Sequence, residues 1–340
     1  MNVLINGIGN IGTTLLSILI DYKSKLGINT IYALKNGKVS SWNSVELGIL
    51  EDKGVIICSK HDSKFTPLDE IINKIDYIFD CNASSIGLEN KEWYQTLKNL
   101  KGCSAQGTEK GFGIPFMTGI NNETIASQKF VQVVSCNTHS LSSLIMSITN
   151  NKISNMIEGD FVIVRRSEDI GNHQRLVTAN VVSRHLDNDI GTHHAIDVKD
   201  LFLTQNTALN IQSSDITTPS QLMHTVRFNL KLKELPKLNK IENSLIENKS
   251  ISTTTKFDSN VIFDLGRRYS PYGRLFSHAI ININNLLIHE KDKRIKGWAF
   301  IPQEGNTILS TIHAFLIQTK TKNTLETMNY LKTDLIRPEW

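Results

Sequence analysis

Cys136 is the residue whose surroundings in this sequence most favour covalent chemistry. It follows an apolar stretch that ends at Val134 and opens the polar run 137–140, after which apolar residues recur at helical spacing. A thiol at the start of a helix faces unpaired main-chain N–H groups and the positive end of the helix dipole, and both favour the thiolate. Cys136 is therefore a candidate nucleophile. The alternative is a small core residue, because free cysteine is among the most buried residue types.

A glycine-rich turn is predicted near the N-terminus, at residues 7–12. The apolar strand predicted over residues 1–5 leads into Gly7-Ile8-Gly9-Asn10-Ile11-Gly12, and an amphipathic helix follows. The G-x-G-x-x-G pattern between a strand and a helix is typical of dinucleotide binding. Gly7 permits the tight turn, Gly9 lets the backbone approach a pyrophosphate, and Gly12 lets the helix pack closely. Main-chain N–H groups near Asn10 and Ile11 would hold the phosphates.

Lys35 follows directly after the second predicted strand, residues 30–34. A carboxylate at this place would bond the ribose 2′-hydroxyl of NAD, whereas a cation can pair with the 2′-phosphate of NADP. The expected cofactor is therefore NADP or NAD. The alternative is that Lys35 is a solvated surface residue.

The remaining pattern predicts an α/β fold, with an N-terminal Rossmann-like dinucleotide-binding domain and a C-terminal α+β catalytic domain. Apolar residues at helical spacing near the end of the chain, from Ile308 to Leu316, predict a helix that returns to pack on the first domain. We expect three segments: a dinucleotide-binding domain at 1–135, a catalytic domain at 136–303, and the returning helix at 304–340.

Composition narrows the classes of function. The 340 residues are 40% hydrophobic and 21% charged, with a net charge of +4, as in a folded protein that binds small anions and not nucleic acid. The four cysteines are scattered without a Cys-x-x-Cys pair, so neither a metal site nor a disulfide framework is expected. No signal peptide and no apolar run of the ~18 residues that a membrane span needs is visible, and a reducing cytoplasm is expected.

Six short sequence motifs together resemble those of the archaeal-type (type II) glyceraldehyde-3-phosphate dehydrogenases. They keep the order and spacing of that family over most of the length. The motifs are Ile5-Asn6-Gly7-x-Gly9-x-Ile11-Gly12, Gln106-Gly107, Val133-Val134-Ser135-Cys136-Asn137-Thr138, Val164-Arg165-Arg166, His193-His194-x-x-Asp197-Val198 and Pro219-x-x-Leu222-Met223-His224.

The resemblance implies a reaction and a role for each matching residue. It implies phosphorylating oxidation of glyceraldehyde 3-phosphate with NAD or NADP and inorganic phosphate, in a cytoplasmic homotetramer. Cys136 would be the nucleophile and His224 the general base. The substrate and phosphate contacts would be Ser135, Asn137, Thr138, Arg165, His193 and His194. The cofactor contacts would be Gly7, Gly9, Asn10, Ile11, Gly12, Lys35, Gly107, Arg166 and Gln303.

The chain departs from the family at several places. His139-Ser140 stands where the family has Thr-Gly, and the loops at 83–87 and 175–182 lack the usual prolines. The family's His-Gln-Glu-Ser motif is matched only in part, by Pro302-Gln303-Glu304-Gly305. The role of Gln303 in cofactor binding therefore rests on a partial match. These changes bear on cofactor affinity and rate, whereas the cysteine, histidine and arginine residues are intact.

Two other readings stay open. A reductase of the aspartate-semialdehyde or N-acyl-glutamyl-phosphate type would share the architecture, but it would need an arginine for an α-carboxylate and no second phosphate site. The paired His193-His194 favours a sugar phosphate over that substrate. The other reading is a dinucleotide-binding protein that has lost activity, in which Cys136 would react no faster than an ordinary cysteine.

Overall fold

The computed structural model describes residues 1–37, 41–82, 85–107, 109–167, 179–219 and 222–340, without the side chains of 41–43 and 238. The chain divides into two compact units. The first unit comprises Met1–Ser135 and Ile308–Asn329, and the second comprises Cys136–Thr307 and Tyr330–Trp340. Of the segment 304–340, only the stretch Ile308–Asn329 therefore groups with the first unit.

The first unit is built on a parallel sheet of eight strands, in the order β4-β3-β2-β1-β5-β6-β8-β7. Every ladder in it is parallel, which is the arrangement of a doubly wound dinucleotide-binding fold. Its strands and helices are β1 (Asn2–Asn6), α1 (Asn10–Asp21), β2 (Thr30–Lys35), α2 (Ser41–Asp52), β3 (Ile56–Ser59), β4 (Thr66–Pro67), α3 (Leu68–Ile71), β5 (Tyr77–Asp80), α4 (Ile86–Gln95), β6 (Gly102–Gln106), β7 (Ile114–Phe116) and β8 (Phe130–Val133).

The second unit contains a mixed sheet in the order β10-β11-β9-β12-β16-β14-β13, with β15 paired to β16. Its elements are α5 (Cys136–Ile148), β9 (Met156–Arg166), β10 (Val181–Val182), α6 (His193–Leu203), β11 (Ile211–Thr218), β12 (His224–Leu232), α7 (Leu238–Glu247), β13 (Ile251–Thr254), α8 (Ser259–Tyr269), β14 (Ala279–Asn282), β15 (Leu287–His289) and β16 (Arg294–Ile301). Strands β9 and β12 alternate buried and part-exposed residues, so one face of the sheet is covered and the other is partly exposed.

Two helices close the chain, α9 (Ile308–Gln318) and α10 (Thr324–Leu335). Helix α9 is buried nearly all round, and its Ala314 belongs to one apolar cluster with Phe116, Val131 and Val133 of the first unit. The tyrosine hydroxyl of Tyr77 also donates to Gln318 at 2.6 Å. The predicted α/β class and the return of this helix to the first sheet are both confirmed.

The glycine-rich turn has the conformation that its sequence predicts. Gly7 has φ +101°, where a side chain would be strained and a Cβ would lie 2.8 Å from the backbone of Asn82. A Cβ on Gly12 would lie 2.0 Å from the carbonyl oxygen of Gly7, so only glycine lets α1 begin this close to β1. A Cβ on Gly9 would meet nothing within 4 Å, so that glycine faces open space.

Candidate active site

Cys136 is the first residue of α5 and is half-buried, while the three residues after it are buried. Strand β8 ends three residues earlier, at Val133, and the helix then runs for 13 residues with an almost wholly buried surface. The thiol therefore lies among the first N–H groups of a long, rigid helix, as its sequence position predicts. Ser135 is the last residue of the first unit, and Thr138 is fully buried in the first turn of the helix.

His224 begins strand β12 and is only 8% exposed. Its Nδ1 accepts a hydrogen bond from the main-chain N–H of Arg166, 2.9 Å away on β9. In the neutral ring this bond places the proton on Nε2, which makes Nε2 a donor. Burial is the largest cause that holds the pKa of His224 well below 6.5, and the charges of Arg166 and Arg165 lower it further. The ring is therefore neutral at physiological pH.

A single turn, residues 303–306, contacts both Cys136 and His224. The side-chain oxygen of Gln303 accepts from the main-chain N–H of His224 at 3.2 Å. The side-chain amide of Asn306 donates to the carbonyl oxygen of Cys136 at 3.0 Å and to that of His278 at 3.1 Å. The turn follows β16, the neighbour of β12, so sheet pairing places it beside His224. Gly305 keeps the turn tight, because a Cβ there would lie 2.3 Å from the carbonyl oxygen of Leu275.

The side chain of Arg166 is held in place and buried. Its guanidinium forms a 3.0 Å ion pair with Glu304 and donates to the carbonyl oxygen of Leu222 at 2.9 Å. Glu304 also lies 3.3 Å from Arg274, so one buried carboxylate serves two arginines. Breaking such a buried pair leaves an uncompensated charge, which costs roughly 3–5 kcal/mol. Arg166 thus fixes the turn and, through its main-chain N–H, the ring of His224.

Both ring nitrogens of His194 form hydrogen bonds within the protein. Its Nε2 donates to Asp215 at 2.9 Å, and its Nδ1 accepts from the side-chain amide of Asn137 at 3.3 Å. The ring is 1% exposed. Asp215 also accepts from the hydroxyl of Ser183. Burial alone would raise the pKa of Asp215, but the hydrogen bonds from His194 and Ser183 and the charge of Arg165 lower it to about 2.

Arg165 and His193 are the more accessible members of this cluster. The Arg165 side chain is 35% exposed, and its guanidinium lies 3.8 Å from Asp215. His193 is half-buried at the start of α6, with its ring centre 3.9 Å from that of His194. An arginine, an imidazole and the N-terminus of a helix are groups that bind phosphate.

His193, His194 and Asp215 also each offer one possible metal-ligand atom, all within 4.8 Å of one another. Coordination by the Nε2 of His194 would break its 2.9 Å hydrogen bond to Asp215. It would also place a cation beside Arg165. The arrangement therefore favours an anion over a metal ion here.

The first unit contains a separate cleft of about 620 Å³, counting space open to solvent, at the carboxyl ends of β1 and β2. Ligands of open parallel sheets collect at such strand ends. The cleft is lined by Gly7, Ile8, Gly9, Leu34, Lys35, Asn36, Gly37, Glu46, Leu47, Cys81 and Asn82. The predicted cofactor residues Gly7, Gly9 and Lys35 are thus brought together.

The other predicted cofactor residues lie apart from the cleft lining. Asn10, Ile11 and Gly12 form the first turn of α1, where the carbonyl oxygen of Asn10 accepts from Thr14 at 2.8 Å. Gly107, with φ +78°, follows β6 and accepts from the side chain of Gln132 at 2.8 Å. Arg166 and Gln303 are in the second unit, where they hold Glu304 and His224.

Sequence reasoning missed three residues of these sites. Asp215, Asn306 and Glu46 belong to no motif, and each acquires its importance from a partner distant in sequence. A signal existed only for Asp215, because it shares the inward-facing positions of β11 with Ile211 and Ser213 and so had to be buried. Residues 83–84, 168–178 and 220–221, which belong to loops and a motif compared with the family above, lie outside the described residues.

Comparison with known proteins gives a consistent picture at low identity. No protein-family model matches the chain. It is 24% identical over 330 residues to glyceraldehyde-3-phosphate dehydrogenase of Methanococcoides burtonii, which covers 92% of each chain. It is 28% identical over 181 residues to the protein of that name from Methanobacterium bryantii, where it spans about half of the relative's length, 51%. It is 25% identical over 228 residues to that of Archaeoglobus fulgidus, 61% of the relative.

No helix within the described ranges is both long and apolar enough to cross a membrane. The chain has the fold of a two-domain dehydrogenase, and it is similar to glyceraldehyde-3-phosphate dehydrogenases over most of its length.

Proposed function

We propose that this protein is a phosphorylating glyceraldehyde-3-phosphate dehydrogenase that uses NAD or NADP. The observation that carries the proposal is the turn at 303–306, which holds the main chain of both Cys136 and His224 inside one unit. A nucleophile and an imidazole fixed to a common support are what covalent aldehyde chemistry requires. The named archaeal relatives and the parallel sheet with its glycine turn support the same reaction.

Cys136 would add to the aldehyde carbon as a thiolate and give a thiohemiacetal alkoxide. The family resemblance implies that His224 is a general base. Since its Nδ1 accepts from the N–H of Arg166, the neutral ring has no lone pair at Nε2 and acts there as a donor. Its Nε2–H would stabilise the alkoxide oxygen, and the hydride then leaves the carbon without a further proton transfer. Such a donor contributes about 10²–10³-fold in rate.

Loss of hydride converts the adduct into a thioester on Cys136. Inorganic phosphate then attacks the carbonyl carbon, the C–S bond breaks, and the products are an acyl phosphate and the regenerated thiolate. Arg165 and His193 are the accessible groups for a phosphate anion, with the helix dipole of α6 behind them. His194 would act through Asn137 and Asp215 and not by direct contact with phosphate.

The first unit fits a dinucleotide. Gly9 faces open space where a pyrophosphate could approach the backbone, and Lys35 lines the same cleft. Gly7 and Gly12 would hold the turn, and the N–H groups of Asn10 and Ile11 would meet the phosphates. A bound nicotinamide supplies the hydride acceptor. Assembly as a homotetramer and a cytoplasmic location stay predictions.

The decisive experiment is a steady-state assay of the purified protein with glyceraldehyde 3-phosphate. We expect reduction of NAD or NADP that depends on inorganic phosphate, and no reduction with aspartate semialdehyde. Cys136→Ser is expected to abolish turnover and to keep cofactor binding, whereas Cys103→Ala, in the core of the first unit, serves as the matched control. Equal turnover by Cys136→Ser, or turnover with the semialdehyde alone, would overturn the proposal.

A further inference from the structure

The dinucleotide cleft carries two opposite charges on its walls. Lys35 lies at the end of β2, and Glu46 lies on α2, and both line the cleft beside Gly7 and Gly9. These are the charged side chains among the described residues that line it. Both are half-buried, so their charges are only partly screened by water.

Glu46 is held in position by helix α1, which follows the glycine-rich turn. The hydroxyl of Thr13, in the first turn of α1, donates to its Oε1 at 3.1 Å. The ammonium of Lys35 lies over Gly37, where an added Cβ would be 3.5 Å from Nζ. The carboxylate therefore stands on the α1 side of the cleft, and the ammonium stands at the end of β2.

Asn36, the neutral residue next to Lys35 in the cleft lining, has its side-chain amide engaged in hydrogen bonds. The side-chain amide of Asn36 donates to Asn6 at 2.8 Å and to Asn82 at 3.3 Å. Asn6 in turn donates to Tyr94 at 2.7 Å, and Tyr94 donates to Asp80. This network commits the amide N–H groups of Asn36 to the ends of β1 and β5, so they do not oppose the two charges.

We propose that Glu46 determines cofactor choice by opposing Lys35, so that the cleft gives little preference for a 2′-phosphate over a 2′-hydroxyl. This inference rests on the dinucleotide binding proposed above. A phosphate ester carries close to two negative charges, so it is attracted to Lys35 and repelled by Glu46. The neutral 2′-hydroxyl of NAD interacts only weakly with either charge. Removing the carboxylate would therefore favour NADP, and removing the ammonium would favour NAD.

The test measures binding and not turnover. Affinities of adenosine 2′,5′-bisphosphate and of 5′-AMP are measured by calorimetry for the wild type, Glu46→Gln and Lys35→Met. Glutamine keeps an oxygen that can accept from Thr13, so Glu46→Gln changes the charge alone. Glu51→Gln is the matched control, because Glu51 is exposed on the same helix and does not line the cleft.

We expect Glu46→Gln to raise the affinity for the bisphosphate roughly fivefold, because the substitution removes one repelling charge that water screens only partly. The affinity for 5′-AMP is expected to stay unchanged. Lys35→Met weakens the bisphosphate by a similar factor, and Glu51→Gln changes neither ligand. An unchanged bisphosphate affinity in Glu46→Gln, or an equal change for both ligands, would overturn this inference while leaving dinucleotide binding intact. If neither ligand binds the wild type, the dinucleotide proposal itself fails, and this inference fails with it.

Discussion

The main-chain N–H of Arg166 donates to Nδ1 of His224 across 2.9 Å, and this bond decides what the imidazole can do. The two residues lie on paired strands, β9 and β12, whose register brings Val164 opposite Thr225. The side chain of Arg166 is itself fixed by Glu304 at 3.0 Å. The ring is thus oriented by the backbone of one strand, and in the neutral ring the proton lies on Nε2.

A donor and a base respond differently to substitution of His224. Glutamine also carries an N–H donor but cannot take up a proton at neutral pH. We expect His224→Ala to lower kcat about 100-fold, the cost of one removed donor, and His224→Gln to retain at least tenfold more activity than the alanine variant. Steady-state kinetics of the two variants provide the measurement. Equal losses of activity in both variants would restore the general-base role that the family resemblance implies.

Stability is expected to fall below pH 6.5 because two histidines are buried in the neutral form. Burial is the main cause that holds the pKa of His224 and of His278 well below 6.5. Between the lowered pKa and 6.5 the unfolded chain binds more protons than the folded one, so stability is complete above pH 6.5 and is lost on acidification. Each histidine contributes about 1.4 kcal/mol per pH unit in this window.

The contribution of His278 can be isolated by His278→Gln. The loss of unfolding free energy between pH 7 and pH 5 is expected to be smaller by up to about 2 kcal/mol in this variant, as urea denaturation would measure. His289→Gln is the control, since His289 is exposed. The same pH dependence in the wild type and in His278→Gln would show that His278 is not the titrating group.

The four thiols are expected to react very differently with iodoacetamide. Burial raises the pKa of Cys58 to about 12, and it also raises the pKa of Cys81 and Cys103. These thiols are therefore protonated at neutral pH, and only Cys136 begins a helix. We expect one equivalent of label at pH 7.5, introduced faster than into glutathione and absent from Cys136→Ser. Mass spectrometry of digests locates the label, and a comparable rate at a second cysteine would contradict the assignment.

Asp215 is expected to be a positioning residue for the phosphate cluster. Replacing it by alanine leaves His194 buried without its 2.9 Å acceptor, which costs about 1–3 kcal/mol of stability. Asp215→Asn keeps an acceptor oxygen, so it should recover much of that stability. The KM for inorganic phosphate, measured in both variants, should rise more than kcat falls. Asp292→Asn, at an exposed site, is the control.

Patterns local in sequence predicted the first unit well. The strand, turn and helix around Gly7 and Gly12 follow from periodicity and steric limits, and the strand predicted at 30–34 is found at Thr30–Lys35. Strand β12 begins as early as His224, because pairing with Ile301 of β16 extends it. Local propensity cannot anticipate an extension that a neighbouring strand imposes.

The site was predictable only in part. The start of α5 at Cys136 could be predicted, because helix signals lie within a few residues of each other. The hydrogen bonds of both ring nitrogens of His194 could not, because His194 lies on helix α6, whereas Asp215 lies 21 residues away in sequence on strand β11. The same holds for Asn306, which is 170 residues from Cys136.

The turn at 303–306 sets a limit on how this chain could be lengthened or shortened. Gln303 and Asn306 are three residues apart and hold different partners, so inserting or deleting one residue between them would release His224 or Cys136. The hairpin connection between His289 and Arg294 is exposed and carries neither contact. Tags or peptide insertions therefore belong in that hairpin, whereas the length of the turn has to be kept.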